Sequence, residues 1–369
     1  MYIAAKGGEE AIQQAEAFYQ FLNGELTLDA IRTVEQKLPY LIDRVIGESS
    51  LYSPELAALA IAQTGGDLYE AVLLLRAYRT TQPRIAYAEP VHADECLTVR
   101  RISAAFKDIP GGQVLGPSLD YSHRLLRMDI LDSKNTPQPD LPEPKNVQVV
   151  SPTYPSLGDW QRQQGLLEAL HVDDTEPALL PDITTDTVMF PAPRAHRLQA
   201  LARADTGGVL ALGYSIMRGY GLIHPTVNEL RLGYAEVEVK HPVTGEVFSA
   251  GRARFSQCEV VAPNTAETTY TIGFAATMGW NEVKLIAAST LDLDMATSKG
   301  EGHPAHQEEF VLYHTEPVEA SGFCIHFKLP HYVTFASSLD NIRKVVNAAV
   351  GAGAAMMMPD EKPEMEAQA

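Results

Sequence analysis

Three stretches of this chain concentrate side chains able to do chemistry. The first runs from Arg100-Arg101 through Lys107-Asp108-Ile109-Pro110-Gly111-Gly112 to Gly116-Pro117 and Tyr121-Ser122-His123-Arg124. Pro-Gly-Gly lets the backbone approach an anion closely, while Lys107, Arg124 and their basic neighbours can neutralise phosphate oxygens. Arg76, Arg79 and Arg84 join them if the fold brings them near. No GxxxxGK[ST] sequence is present, so this is not a P-loop. The same residues also suit a Gly/Pro turn with solvated arginines.

The second stretch is Arg218-Gly219-Tyr220-Gly221-Leu222-Ile223-His224-Pro225. Two glycines flanking Tyr220 suit a ligand-lining loop, in which the ring stacks on a base or sugar and Arg218 holds a phosphate. A strand-connecting turn with a packed tyrosine fits equally. The third is Glu308-Glu309, then His314, then Cys324-Ile325-His326-Phe327-Lys328-Leu329-Pro330-His331. An H-x4-H pair points to opposite sides of a strand and about 140° apart on a helix, so His326 and His331 converge only where the chain bends, which Pro330 allows. Two converging imidazoles can hold a divalent metal. Zinc takes about four ligands, so two histidines leave positions for water, substrate or a neighbour, with Cys324 an open third candidate. Two structural histidines and a buried cysteine are the alternative.

The elements that must position these groups are readable in part. Ser53-Pro54-Glu55 opens a helix carrying Leu56, Leu59 and Ala60; Gly65-Gly66 stops it, and Asp67 caps the next, with Leu68, Ala71, Val72 and Leu75 at helical spacing. Residues 1–131 therefore read as a mainly helical N-terminal domain. Ten prolines fall between Pro137 and Pro193, which makes 132–193 a Pro-rich connector. Residues 194–351 read as an α+β domain. In it Tyr234–Lys240 alternates, Pro242-Val-Thr-Gly245 turns, and Val247–Phe255 resumes extended sequence as a hairpin. Trp280–Leu291 returns to helical spacing. The short segments Phe310–Tyr313, Phe323–Leu329 and Tyr332–Phe335 read as strands or loops around a site, and 352–369 as a tail. The fold class is α+β.

Composition narrows the partners. With 29 basic and 47 acidic residues the formal charge is −18, which argues against nucleic acid or an anionic membrane bound through general charge. A polyphosphate needs a local basic pocket. The longest low-charge apolar run, Val345–Met358, is too short for a bilayer span, and the N-terminus lacks the pattern of an export signal. Cys96, Cys258 and Cys324 lie far apart with no CxxC, so a reducing cytoplasm is the expected compartment.

Several long blocks carry a resemblance. MYIAAKGGEEAI at the start, LLLRAYRT at 73–80, RRISAAFKDIPGGQVLGPSLDYSHRLL at 100–126, YSIMRGYGLIHP at 214–225, EEFVLYH at 308–314 and GFCIHFKLPHYVTF at 322–335 closely resemble the PhnI subunit family of the bacterial carbon-phosphorus lyase system. The resemblance implies displacement of adenine from MgATP by a phosphonate such as methylphosphonate, giving ribose 1-methylphosphonate 5-triphosphate, and nucleosidase activity on purine nucleoside triphosphates. It implies partners of the PhnG, PhnH, PhnJ and PhnL types and self-association within a two-fold complex. It also implies zinc on His326 and His331 near the radical-SAM subunit PhnJ. Within that chemistry, residue type assigns Glu308 or Glu309 to the positive charge that develops on the ribose, and Arg218 and His224 to the transferring groups. Lys107, Gly111, Gly112 and Arg124 are assigned to the triphosphate. A scaffold subunit, supplying a zinc site without its own complete active site, is the other reading.

Overall fold

The computed structural model describes residues 8–126, 128–131, 153–168, 180–220, 224–264, 268–298, 300 and 302–356. Two compact units result: Asn23–Ala320, and the chain ends Met1–Leu22 with Ser321–Ala369.

Helix α1 (Gly8–Asn23) buries none of its residues. Helices α2 (Leu28–Lys37), α3 (Pro39–Ser49), α4 (Pro54–Gln63) and α5 (Leu68–Thr80) follow. The starts of α2, α4 and α5 follow from side-chain capping, whereas α3 opens on Pro39 without a side-chain cap. Thr27 accepts from the Ala30 amide, Ser53 from that of Leu56, and Asp67 from those of Tyr69 and Glu70. The apolar faces of α3, α4 and α5 meet in one core, with Ile42, Val45, Ile46, Ala57, Ile61 and Val72 fully or almost fully buried.

Strand β1 (Leu97–Ile102) departs from the helical pattern expected up to residue 131. It pairs antiparallel with β2 (Thr226–Lys240), Arg101 opposite Arg231. Strands β3 (Val247–Asn264) and β4 (Thr269–Met278) complete an antiparallel sheet of order β1-β2-β3-β4. The expected hairpin is the β2–β3 connection, where the His241 ring accepts from the Val243 and Thr244 amides and Gly245 takes φ +73°. The α+β class is thus realised, with β1 supplied from well before the connector. Of the connector, 132–152 and 169–179 lie outside the described residues; the rest includes α6 (Leu157–Gln163).

Helices α7 (Arg194–Arg203), α8 (Thr206–Ser215) and α9 (Glu282–Thr297) build the second core with the sheet. Leu230, Cys258, Val260 and Ala275 pack with Leu201, Val209, Leu285, Ala288 and Leu291. A Cβ on Gly273 of β4 would lie 2.1 Å from the Ser289 carbonyl of α9, so helix and strand backbones touch there.

The segments expected as strands or loops after residue 308 are helices instead: α10 (Glu308–His314), α11 (Pro317–His326) and α12 (Tyr332–Met356). Phe, Val, Tyr and Ile favour strands, but burial of Val311 and Leu312 in the second core overrides that preference. Glu316 caps α11 by accepting from the Val318 and Glu319 amides, and Pro317 sits in its first turn. Residues Tyr332 to Gly351 of α12 are all exposed. The tail from 357 lies outside the described residues. No helix among the described residues is long and apolar enough to cross a membrane.

Candidate functional site

The first expected constellation divides in two. Arg100 and Arg101 are buried rather than presented to a ligand. Arg101 ion-pairs through Nε with Glu229, donates from Nη1 to the Pro110 and Gly112 carbonyls at 2.7 and 2.8 Å, and from Nη2 to the Pro155 carbonyl. Gly111 and Gly112 both take positive φ, and a Cβ on Gly111 would meet Tyr154 at 2.9 Å. The Pro-Gly-Gly turn therefore directs two carbonyls onto a guanidinium, the arrangement that suits a buried cation. Lys107 beside it is exposed.

Arg124 has a different setting. It lines a groove of about 670 Å³ with Tyr40, Arg44, Asp120, Trp280 and Glu282. A smaller adjoining hollow of about 290 Å³ shares Tyr40, Trp280 and Glu282. Asp120 bridges Arg100 at 2.5 Å and Arg124 at 3.2 Å, while Glu282 lies 2.6 Å from Arg100 Nε. Burial, reinforced by Asp120, raises the Glu282 pKa against the pull of Arg100. Burial, Glu282 and Asp120 likewise raise that of the Tyr40 phenol. Trp280 Nε1 donates to the Gly233 carbonyl at 3.1 Å, which fixes the indole at the groove wall. Lys284 is buried behind it, donating to the Ala202 carbonyl at 2.7 Å, and burial pulls its pKa down to about 8. Two aromatic rings with carboxylates and guanidiniums suit a polar, ring-bearing anion. Sequence reasoning does not reach Tyr40, Trp280 and Glu282; the signal available is a tryptophan and an acid at the mouth of a helix.

Glu259, on the same sheet, titrates without lining that groove. Asn228 donates to its Oε2 at 3.0 Å, and burial plus the Glu229 carboxylate push its pKa up to about 7. The folded chain therefore holds this proton more tightly than the unfolded chain. Its contribution is full below the ordinary glutamate value of 4.5 and is lost as pH rises through about 7. Glu259→Gln is expected to flatten the stability–pH curve between those limits and to stabilise the chain at pH 8 by on the order of 2 kcal/mol. Urea midpoints measured at pH 5 and 8 check this, and identical slopes in both proteins would remove Glu259 as the source.

The second constellation is held apart from Arg124. Arg218 lies in a π-helical turn after α8, donating to the Tyr214 hydroxyl at 2.7 Å. His224 lines a separate hollow of about 390 Å³ with Ala104, Phe106, Thr226 and Tyr270, which places it against the segment leading to Lys107. Gly221, Leu222 and Ile223 lie outside the described residues. Of the two neighbouring acids, Glu308 accepts from the Ala192 amide at 2.6 Å and pairs with Arg197 at 3.2 Å, whereas Glu309 is exposed. His314 is exposed and stacks on Phe310, its Nδ1 against the Phe310 carbonyl at 2.7 Å.

The third constellation supplies one convergence. The chain bends between α11 and α12, and His326 Nε2 comes within 3.2 Å of His331 Nε2. His331 Nδ1 donates to the Leu329 carbonyl at 2.5 Å, leaving Nε2 as the acceptor nitrogen of the neutral ring. Tetrahedral zinc with arms of about 2.0–2.1 Å spaces two nitrogens roughly 3.3–3.4 Å apart, so the pair fits such an ion. Among the described residues no three His, Cys, Asp or Glu side chains gather at one point, so Cys324 does not join them. It is exposed, whereas Cys96 and Cys258 are buried.

The chain is thus an α+β protein with an aromatic- and charge-lined groove in one unit and a close pair of imidazoles in the other. Residues 1–349 match the family model described as bacterial phosphonate metabolism protein (PhnI). A relative from Rhizobium meliloti, named alpha-D-ribose 1-methylphosphonate 5-triphosphate synthase subunit PhnI, is 41% identical over 94% of this chain and 95% of its own. One from Escherichia coli with the same name is 39% identical over 94% of this chain and 98% of its own. The chain belongs to the PhnI family.

Proposed function

We propose that this chain is the PhnI subunit of a carbon-phosphorus lyase system, acting on MgATP and an alkylphosphonate such as methylphosphonate, which gives ribose 1-methylphosphonate 5-triphosphate and adenine. The observation that carries the reading is near-full-length similarity to two synthase subunits of that name. In this reaction a phosphonate oxygen forms a bond to C1′ of the ribose as the bond from C1′ to the purine breaks. The bonding pair departs on adenine, which takes up a proton. Partners of the PhnG, PhnH, PhnJ and PhnL types, self-association, a cytoplasmic setting and nucleosidase activity on purine nucleoside triphosphates belong to the same proposal.

The groove beside Arg124 is the preferred nucleotide site. Tyr40, 57% exposed, offers a face to the purine. Arg124 and Arg44 supply positive charge for the triphosphate in a chain of net charge −18. Asp120 stabilises positive charge as it grows on the ribose, and Glu282, raised in pKa by burial although paired with Arg100, is the groove acid that would protonate the leaving base. Glu308, which accepts from the Ala192 amide and pairs with Arg197, and the exposed Glu309 are the other carboxylates proposed for this role. Lys107, His224, Gly111, Gly112 and Arg218 do not line that groove, and His224 lines a separate hollow. His326 and His331 would hold zinc, which when bound supplies a Lewis-acid centre with open positions.

Adenine release and 31P spectra of the product, measured with the partner subunits present, test the reading. Arg124→Ala is expected to raise KM for MgATP about tenfold and to change adenosine binding by less than about twofold. Equal loss for both ligands would give Arg124 back to the fold. Adenine release that proceeds without this chain would end the synthase assignment, while release that needs the chain but survives changes at Tyr40, Asp120 and Glu282 would favour a scaffold.

A further inference from the structure

A second cavity, of about 530 Å³, is left unused by the groove chemistry. It opens between α5, α7 and the α10–α11 junction. Its lining is mostly apolar, with Ile183, Val188, Phe190, Ala200, Leu312 and Val318. Two guanidiniums reach it, Arg76 and Arg203. Arg76 is fully engaged: it ion-pairs with Glu316 and donates to the Glu48 carbonyl at 2.7 and 3.0 Å and to the Arg203 carbonyl at 3.1 Å. Arg203 is not. Its Nε is buried without a hydrogen-bond partner, and it makes no ion pair among the described residues.

The surroundings oppose its charge more than they relieve it. Burial, then Arg76, pull the Arg203 pKa down to about 10, with Arg79 adding to them and the Glu316 and Asp182 carboxylates offsetting only part. Arg79, three residues along α5 from Arg76, also makes no ion pair among the described residues, and Arg84 is neutralised by Asp182 at 2.6 Å. The remaining carboxylates face other groups or solvent. Asp186 is exposed and accepts from the Asp182 amide and the Thr185 hydroxyl, Glu316 is held by Arg76, and Glu319 is exposed at the rim. Two half-buried arginines that no carboxylate among the described residues pairs with directly are costly in any chain, and in one this acidic a pairing carboxylate would be easy to supply. An oxyanion in the cavity would give charged acceptors to the terminal nitrogens of Arg203, which make no hydrogen bond among the described residues.

We propose that this cavity binds a small organic oxyanion, its phosphonate- or phosphate-type head on Arg203 and its apolar substituent against Phe190, Leu312 and Val318. The ranking of phosphonates first among such ions rests on the proposed synthase function; the site itself does not. Calorimetric titration of the full-length chain with phenylphosphonate and with inorganic phosphate separates head from body. Phenylphosphonate is expected to bind at least about tenfold more tightly than phosphate, because only it covers the apolar wall. Arg203→Gln should weaken phenylphosphonate at least about tenfold without lowering the urea midpoint, since the change removes an unpaired cation. Arg203→Lys keeps the charge and loses the planar fork, so its affinity should fall between the two.

Equal phenylphosphonate affinity in wild type, Arg203→Gln and Arg203→Lys would overturn the site, as would no binding by wild type at about 10 mM. Equal affinity for phosphate and phenylphosphonate would overturn the apolar half of the assignment. Should Arg203→Gln fail to fold, Arg203→Lys decides. Adenine release by the assembled system is read independently, so loss of the synthase reading and loss of this site are separate outcomes.

Discussion

Glu229→Ala is expected to destabilise the chain by about 3–5 kcal/mol, because it strips two buried guanidiniums of the carboxylate they share. Glu229, Arg101 and Arg231 are each fully buried, and the one carboxylate serves both cations. It also accepts from the Leu157 amide, tying the start of α6 to the sheet. Removing it leaves the two arginines in a low-dielectric interior with mainly carbonyl acceptors. For Arg231 those are Ala93, Tyr154 and Pro155. Arg101→Met should cost less, because Glu229 then remains paired with Arg231 at 2.9 Å and the charges there balance. Urea unfolding of both variants checks the order. A Glu229→Ala midpoint equal to that of wild type would mean that the network contributes no net stability; a larger loss in Arg101→Met would mean that the Pro110 and Gly112 carbonyls, not the carboxylate, set the energy.

The same network explains what the sequence can and cannot disclose. Helices α4 and α5 are legible because Ser53-Pro54 and Asp67 are local stop-and-start chemistry, and the β2–β3 hairpin because its turn residues are adjacent. β1 is not, since its partner Arg231 lies 130 positions on from Arg101 and no local pattern encodes that pairing. Arg100-Arg101 read as solvated or ligand-binding because charge predicts exposure; burial becomes possible only once Glu229, Glu282 and a row of carbonyls are assembled around them. The strand expectation for α10 and α11 fails for a related cause. β-favouring residues there answer to long-range burial, although the Glu316-Pro317 start is a local signal pointing to a helix. Among the site residues, the His326–His331 convergence follows from Pro330 and the spacing, whereas the Tyr40–Trp280 groove joins residues 240 apart and leaves no trace in any one segment.

On the proposal that the His326–His331 pair holds zinc, His326→Ala and His331→Ala are each expected to remove most of that zinc while leaving the fold intact. With one imidazole gone, a single nitrogen and water are a poor site for a metal that takes about four ligands, so the loss should be nearly complete rather than graded. The fold should tolerate either change because His326 is exposed and His331 half-buried, and neither contributes to the two apolar cores. His331 also has a positioning partner: its Nδ1 donor contact to the Leu329 carbonyl aims Nε2 at its neighbour, so His331→Asn should restore far less metal than its polarity suggests. Metal analysis after gel filtration, alongside circular dichroism and urea midpoints, separates the outcomes. Zinc content unchanged in both alanine variants would make the 3.2 Å contact a hydrogen-bonded histidine pair. Zinc lost together with helicity would make the pair a structural clasp between α11 and α12 instead of a site with open positions for chemistry.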